Sequence, residues 1–426
     1  MQYWKKTIKL TTLFVLAFSV HQKIVAQENS PYSRYGLGNL KQIENIANRG
    51  MGGIAIADDN PLIANPVNPA TYTGLKLTAY QIGIEASLLK IKSNNSSNRT
   101  GSTTLAYMNI GIPVSKKMGI SFGLLPQTRS KYSFAKTDSI DGISKVNYNY
   151  YGGGGLQKIY VGAAYKLGEV SVGFNTGYNF GNLVNSSESS FTDSLKILSN
   201  NITGRTTMGG AFWQVGALWH KKISTNYSLK IGVTYSGAQS INAKKEAYWE
   251  SFLGDISSPD YVRRIDSVKN LTGKIKIPSN WGVGVILGYG DQWQIGMDLT
   301  ASDWSKYSAY GNSDSLSNMY MIKLGGAFTP DVNSVSDYWK KMTFRAGLYT
   351  GQDIFKFNNT NLKKSGATLG IGYPIRRTNS SIGQINAAFE IGKRGTTDNG
   401  LVSENYTRFS FGFTFNDKWF IKRRYD

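Results

Sequence analysis

Apolar and polar side chains alternate in many stretches of this sequence, and the alternation is clearest near its C-terminus. Residues 408–415 are Arg-Phe-Ser-Phe-Gly-Phe-Thr-Phe, with a phenylalanine at every second position. Because successive side chains of a β-strand point to opposite faces, the four rings share one face and small or polar residues share the other. The pattern predicts a strand with one apolar side, which occurs in the wall of a membrane barrel and in a soluble sandwich alike.

The connections between such stretches favour the barrel. About 14 strand candidates follow one another, near residues 75–90, 102–113, 117–134, 156–166, 169–181, 205–220, 226–238, 272–288, 291–303, 318–329, 341–350, 366–374, 380–392 and 404–416. Tight turns (113–117, 166–169, 220–226, 289–291 and 374–380) alternate with long polar links (92–101, 135–155, 182–204, 239–271, 304–317, 351–365 and 393–403). One connection on the turn side, 330–340, is longer than its peers. A bilayer-spanning barrel has short periplasmic turns and long extracellular loops, whereas a sandwich has no reason to alternate in this way.

These patterns predict an all-β protein, a transmembrane antiparallel β-barrel of about 14 strands over residues 75–426. An even strand number returns both termini to the periplasm. The chain has 26 Tyr and 9 Trp, and several fall at predicted strand ends, where an interfacial aromatic girdle is expected. The girdle candidates are Trp281, Trp293, Trp304, Trp419, Tyr235, Tyr289, Tyr307 and Tyr349.

Residues 1–26 have the layout of a secretory signal peptide. Three lysines precede an apolar run over residues 10–20, and Ala26 offers a small residue for cleavage before Gln27. The apolar run is too short for a lasting membrane span, and no stop-transfer pattern follows it. Export and the barrel pattern together predict the outer membrane of a Gram-negative bacterium.

Residues 27–74 differ in composition from the rest of the chain. They hold four of its ten prolines and a glycine cluster at residues 50–53. Proline cannot donate a hydrogen bond to a neighbouring strand, so prolines at this density predict compact irregular structure. We interpret residues 27–74 as an N-terminal extension and hatch that plugs the barrel lumen.

Charge and residue chemistry exclude several functions. The formal charge is +21, and removing the four lysines of residues 1–26 leaves +17 on the mature chain. Basic chains often bind nucleic acid, but the compartment excludes that partner, and basic rims fit anionic outer-membrane lipid instead.

The chain has no Cys, and His220 is the one histidine after the signal peptide. A hydrolase or metal site would depend on that single ring beside a tight turn. We therefore predict no catalytic residues, no metal, no cofactor and no enzyme activity.

The N-terminal region also resembles a known family. Residues 49–59, Arg-Gly-Met-Gly-Gly-Ile-Ala-Ile-Ala-Asp-Asp, followed by Asn68-Pro69-Ala70, are similar to the hatch of the FadL/TodX family of outer-membrane fatty-acid and hydrocarbon transporters. Residues 274–279 and 292–305 are similar to mid-barrel segments of that family. The resemblance implies a barrel of 14 strands and a hatch whose geometry depends on Asn68, Pro69 and Ala70.

The same resemblance implies a transport route. In the family, hydrophobic molecules pass from the extracellular loops to a lumen pocket above the hatch, then leave sideways into the membrane beside a kink in the third strand. Pro126 lies in the third predicted strand here, and proline marks a bulge, an edge or a break. Pro126 therefore either forms a lateral opening or ends the regular part of its strand.

Two functions are consistent with these features. The first is a FadL-like channel that takes up hydrophobic small molecules and releases them laterally into the membrane. The alternative is a non-transporting accessory subunit of a larger outer-membrane complex for secretion or barrel assembly, with other outer-membrane proteins as partners. Residues 28–39, which differ from the short N-terminus of the transporters, and the polar stretch 182–201 motivate the alternative. A continuous apolar lumen opening beside Pro126 would favour transport, and a filled lumen would favour the alternative.

Overall fold

The chain forms one antiparallel sheet that closes on itself. The computed structural model describes residues 29–94, 96–140, 143–191, 198–255, 258–334, 337–376 and 381–419. The predicted signal peptide, residues 1–26, lies outside these ranges. The wall strands are β1 Thr78–Lys92, β2 Ser97–Pro113, β3 Met118–Pro126 with Thr128–Ile140, β4 Ile143–Leu167, β5 Val170–Phe191, β6 Ser199–Lys222, β7 Tyr227–Ser236 with Gln239–Asp255, β8 Ser258–Ile277 with Asn280–Tyr289, β9 Trp293–Ser302, β10 Met319–Phe328, β11 Thr343–Phe357, β12 Thr360–Arg376, β13 Ile382–Arg394 and β14 Ser403–Asp417.

Pairing between the first and last wall strands closes the barrel. β1 pairs with β14 from Thr78↔Asp417 to Lys92↔Ser403, and β1 also pairs with β2. Each remaining strand pairs with its neighbours in sequence, always antiparallel. The predicted 14-strand antiparallel barrel is thereby confirmed. We call the mouth with the short connections the turn end and the opposite mouth the loop end.

Outside the wall strands, the described residues form short elements only. The helices are α1 Ile46–Gly50 and the short 3-10 helices Pro31–Arg34, Pro69–Gly74, Trp304–Lys306, Tyr338–Lys341 and Asp398–Gly400. The short strands are Asn39–Leu40, Ser308–Ala309 and Asn312–Ser313. No described helix combines the length and the apolar character needed to cross a bilayer.

The alternation in β14 orients its side chains as the sequence predicts. Its phenylalanines at 409, 411, 413 and 415 are 37–46% exposed on the outer face, while Ser410 and Thr414 are buried toward the lumen. Other strands expose further apolar residues on the same outer surface, such as Ile84 on β1 and Leu369 on β12. This apolar outer belt is the surface that a membrane barrel presents to lipid.

Three of the predicted polar links are in large part paired strand. The described parts of residues 135–155, 182–204 and 239–271 continue the wall at the loop end as paired strands, with pairs such as Tyr132↔Gly152 and Ser187↔Ile202. Polar residues, charged residues and glycines outnumber apolar residues there, so a continuous apolar face is missing and the sequence shows no clear alternation. The backbone ladder does not need that alternation when both faces are polar.

The predicted aromatic girdle is correct only in part. Trp281 and Tyr235 are directly paired across β8 and β7, and both are more than 40% exposed on the outer surface. Trp304, Tyr307 and Tyr349, by contrast, are 4–6% exposed and point inward. For these three residues the girdle assignment is wrong, because strand ends and strand parity do not reveal which rings the lumen buries.

Candidate functional site

Residues 29–77, which we call the N-terminal segment, lie inside the barrel. Their glycine cluster packs on glycines of three wall strands. A Cβ placed on Gly347 of β11 would lie 2.3 Å from the Gly52 nitrogen, and one on Gly370 of β12 would lie 2.8 Å from the Gly50 Cα. Gly52 also has a φ of +74°, which favours glycine. Backbone therefore packs directly on backbone at this contact.

Asn68, Pro69 and Ala70 hold a turn of the segment against β5 and β6. The Asn68 side chain caps the helix Pro69–Gly74 by accepting from the Ala70 nitrogen at 3.0 Å, and its Nδ2 donates to the carbonyls of Ile56 and Ala217. Asn68 and Ala70 are fully buried. On the wall side, a Cβ on Gly173 or Gly216 would clash with this turn.

A buried carboxylate on β1 fixes the middle of the segment. Glu85 is 2% exposed and lies 2.7 Å from Arg49 and 2.5 Å from Lys41. Arg49 also donates to the carbonyls of Gln42 and Glu44, so its guanidinium joins two parts of the segment to the wall. Hydrogen bonds between buried groups of opposite charge are directional. The contact with Glu85 therefore fixes the position of Arg49 in addition to neutralising its charge.

Two further acids of the segment pair with basic residues of the wall. The Glu44 carboxylate lies against Lys323 of β10, and although burial alone would raise its pKa, that ammonium holds the pKa below the usual value. Asp59 lies 2.8 Å from His220 Nδ1 and 2.5 Å from the Lys230 ammonium. Burial again acts upward on the pKa of Asp59, but the hydrogen bond with His220 and the charge of Lys230 hold it well below its usual range. His220, the one histidine among the described residues, is thus engaged with the segment.

Asp58, next to this pair, serves the internal structure of the segment. Its carboxylate accepts from Asn48 Nδ2 at 2.6 Å, and its carbonyl accepts from Asn65 at 3.0 Å. Burial raises its pKa, and the neighbouring Lys230 charge offsets that only in part. The two adjacent aspartates therefore have opposite electrostatic environments.

The third wall strand is interrupted at Pro126. Its first half pairs with β2 from Pro113↔Gly119 to Met108↔Leu124. Among the described residues, no backbone pairing joins residues 97–107 of β2 to Thr128–Ile140, the second half of β3. We call this gap the seam. Glycines opposite the break permit the bend, since a Cβ on Gly155 of β4 would lie 2.3 Å from the Thr128 carbonyl oxygen.

Residues 29–41 of the N-terminal segment cover the seam. Asn39 and Leu40 pair with Arg129 and Thr128 of β3, and the Ser30 nitrogen donates to the Lys131 carbonyl at 3.0 Å. The following contacts extend this edge: Ser33 Oγ to the Lys131 carbonyl, Ser130 Oγ to the Ser33 carbonyl, and the Lys41 nitrogen to the Gln127 carbonyl. Across the gap, the Asn29 nitrogen donates to Thr100 Oγ1 of β2.

The same segment completes an apolar core in the loop half of the lumen. Leu37 is 1% exposed, and Tyr32 is 5% exposed with its ring stacked near Phe355 and Phe357 of β11. The core continues through Leu156, Leu183, Met208, Ile241, Ile275, Trp304, Leu316, Ile354, Leu362 and Leu401. Side chains of the protein itself thus occupy apolar space in the lumen.

Cavities of different character lie along the barrel. One inside the lumen has a volume of about 30 Å³, room for about one water molecule, and is lined by charged groups that include Glu85, Arg394 and Arg408. One of about 520 Å³ lies at the loop end, beside Leu183, Ile202 and Leu271. A third of about 860 Å³ lies at the turn end.

The structure places the residues singled out from the sequence in two locations. Asn68, Pro69 and Ala70 lie against β5 and β6, and Pro126 lies at the base of the seam. Sequence reasoning missed the buried charges of the wall, Glu85 and Lys323 among them. A charged residue at an inward position of a strand with small and apolar neighbours was the available signal. Among the described residues, no group of three or more His, Asp or Glu side chains converges in a way that could hold a metal ion.

These features define an outer-membrane β-barrel of the FadL-like fold, as found in Gram-negative bacteria. A Pseudomonas aeruginosa FadL homologue is similar with a TM-score of 0.59 at 12% identity, covering 90% of this chain and 100% of that one. The Ralstonia pickettii toluene transporter TbuX gives 0.55 at 13% identity (90% and 99%), and the Pseudomonas putida toluene transporter TodX gives 0.53 at 14% (89% and 100%). The sequence resemblance is thereby confirmed at the level of the fold.

The BamG family model matches residues 5–426, and the chain belongs to the BamG family. A search of curated proteins found no match.

Proposed function

We propose that this protein is a non-transporting accessory subunit of a larger outer-membrane complex, with barrel assembly as its process. The observation that carries the proposal is the covered seam, where residues 29–41 bond along the free edge of β3 beside Pro126. A hydrophobic molecule leaving the lumen by that route would have to displace a hydrogen-bonded segment of the protein. The family name, BamG, points the same way.

The contents of the lumen support the proposal. Tyr32 and Leu37 occupy apolar space in the loop half, and the ion pairs of Glu44, Arg49 and Asp59 fasten the rest of the segment to the wall. We propose that residues 29–77 act as a permanent hatch. Opening it would expose several buried charges at once, each costly to leave unpaired.

We further propose that the turn end faces the periplasm and the loop end faces outward. The short connections lie at one mouth and the long hairpins at the other, as in outer-membrane barrels generally. The C-terminal strand ends at the turn end, since Asp417 pairs with Thr78 at the start of β1.

A second function, uptake of hydrophobic small molecules, is favoured by one specific observation. The cavity of about 520 Å³ at the loop end lies beside Leu183, Ile202 and Leu271 and is large enough for a small apolar ligand. In that case residues 29–41 would have to leave the seam during each transport event.

Affinity purification from native membranes in mild detergent distinguishes the two functions. A protein recovered in stoichiometric amount with the tagged barrel supports the accessory subunit. Recovery of the barrel alone, together with uptake of a radiolabelled aromatic hydrocarbon that depends on the protein, would overturn it. A variant with residues 29–41 covalently tied to β3, described in the Discussion, provides the matched control for uptake.

A further inference from the structure

The turn-end mouth contains a basic concavity that the hatch and its ion pairs do not explain. Its volume is about 860 Å³, and we call it the turn-end basin. Its lysines are Lys76, Lys116, Lys166, Lys222, Lys230 and Lys418. Two aspartates, Asp59 and Asp291, also line it, which leaves a formal balance of +4 with histidine neutral.

Most of this positive charge is uncompensated. Lys230 pairs with Asp59 at 2.5 Å, so the pair contributes little net charge. Within the described ranges, the other five lysines of the basin form no ion pair. Like charges around a concave surface repel one another and focus a positive potential into it. Such an arrangement adds nothing to the stability of the barrel, so a ligand is the better explanation of it.

The position of the basin selects the kind of ligand. Its floor includes Pro61 and Lys76 of the N-terminal segment, which lie within the ring of strands. Its sides come from separate short connections and the strand ends beside them, represented by Lys116, Lys166 and Lys222. The basin therefore opens along the barrel axis, whereas lipid headgroups surround the wall.

We infer that the turn-end basin is the docking site for an acidic segment of a partner protein. The inference rests on the proposed accessory function and adds the surface and the charge of the partner. Opposite charge across an interface steers association and excludes partners of the wrong sign. A segment rich in aspartate and glutamate would pair with the five free lysines without any rearrangement of the hatch.

Charge reversal at the basin tests the inference. The triple variant Lys116→Glu/Lys166→Glu/Lys222→Glu changes three lysines in or beside short connections. The control triple Lys92→Glu/Lys269→Glu/Lys363→Glu makes the same change at three exposed lysines toward the loop end. In each background a photo-crosslinking amino acid replaces Thr225, which lines the basin, or Asn98, which is exposed at the loop end. Cross-linking is carried out in living cells, and the joined peptides are identified by mass spectrometry.

We expect the residue at position 225 to cross-link to a protein segment in which Asp and Glu outnumber Lys and Arg. The basin triple should lower the yield at least tenfold, and the control triple should leave it unchanged. Cross-links to lipid only, to a segment without excess acid, or at undiminished yield in the basin triple would overturn the inference. If the basin triple fails to fold, the matching lysine-to-glutamine triple and release of the wild-type complex by salt at about 0.5 M decide the question.

Co-purification of the same variants separates this inference from the proposed function. A partner recovered in equal amount with wild type and basin triple would overturn basin docking and leave the accessory function standing. Failure to recover any stoichiometric protein with wild type would overturn both.

Discussion

Arg49 of the N-terminal segment donates to Glu85 of β1 across 2.7 Å, and both side chains are at most 3% exposed. Lys41 approaches the same carboxylate from another part of the segment at 2.5 Å. One wall residue therefore holds two cations of the segment. A buried ion pair adds little stability compared with an apolar contact of similar size. Removing one partner is nevertheless costly, because the other charge then stays buried without a partner.

Replacing Glu85 by glutamine should lower the free energy of unfolding by about 3–5 kcal/mol, because two cations lose their buried partner. Urea unfolding in lipid vesicles, followed by tryptophan fluorescence, measures the change. The control is Asp138→Asn, which breaks an exposed pair with Lys136 and should leave the unfolding midpoint almost unchanged, because water screens the pair. Equal losses in the two variants would contradict the assigned role of Glu85.

The adjacent aspartates of the segment should respond differently to neutralisation. Asp59→Asn removes the partner of Lys230 and His220 and should destabilise the protein at pH 7. Asp58→Asn removes a charge whose burial raises its pKa, and should cost less than Asp59→Asn at the same pH. The two midpoints of urea unfolding give the comparison directly. A larger loss for Asp58→Asn would show that the assignment of the two environments is reversed.

The contribution of Asp59 should also depend on pH. Its pKa is lower in the folded protein than in the unfolded chain, where it is near 4. The stabilisation is therefore fully present above about pH 4 and is lost as the pH falls through the folded-state value. The difference in stability between wild type and Asp59→Asn should shrink on acidification below pH ~4. A difference that stays constant between neutral and acid pH would exclude this linkage.

Adding one methyl group to the wall should displace the segment. In Gly347→Ala the new Cβ would lie 2.3 Å from the Gly52 nitrogen, and overpacking of this kind costs about 1–3 kcal/mol. Gly204→Ala is the matched control, since its nearest atoms lie 3.9 Å away. Thermal loss of the folded, fast-migrating band on unheated gels reports both variants. If Gly347→Ala behaves like Gly204→Ala, backbone contact between segment and wall does not limit stability.

A disulfide that ties residues 29–41 to β3 tests whether this cover leaves the seam. The natural chain has no cysteine, so the pair Asn39→Cys/Arg129→Cys introduces the only two thiols. These residues are direct partners in an antiparallel register, which brings their Cβ atoms close. We expect oxidation to join them without loss of the co-purifying complex, because the seam stays closed in the working protein. The single variant Asn39→Cys is the control, and loss of function that reducing agent restores would show that the seam must open.

Much of the barrel wall could be predicted from the sequence. Alternation in residues 408–415 predicts which face of β14 is apolar, and the alternating connection lengths predict an even number of strands. Both are local consequences of strand geometry. The polar hairpins at the loop end were missed as strands, because their two faces are alike and no period-two signal remains.

The contents of the lumen could not be predicted in the same way. Asn68, Pro69 and Ala70 were found through their resemblance to a known hatch, but nothing local indicates that Asn68 bonds to the carbonyl of Ala217. Trp304 and Tyr349 were assigned to the membrane interface, whereas the structure buries both inside. Their environment depends on which strand faces them across the lumen.

The sequence by itself determined that this protein is a barrel, because the strand period and the length of each connection can be read from residues that are close together in the chain. Only the tertiary structure decided that residues 29–41 cover the seam and that Glu85, Lys323 and His220 hold the segment. Those partners are separated by tens to hundreds of residues along the chain, and closure of the sheet sets which of them meet. Alternation with a period of two shows to which face of a strand a side chain points. It does not show which residue lies opposite that side chain across the lumen.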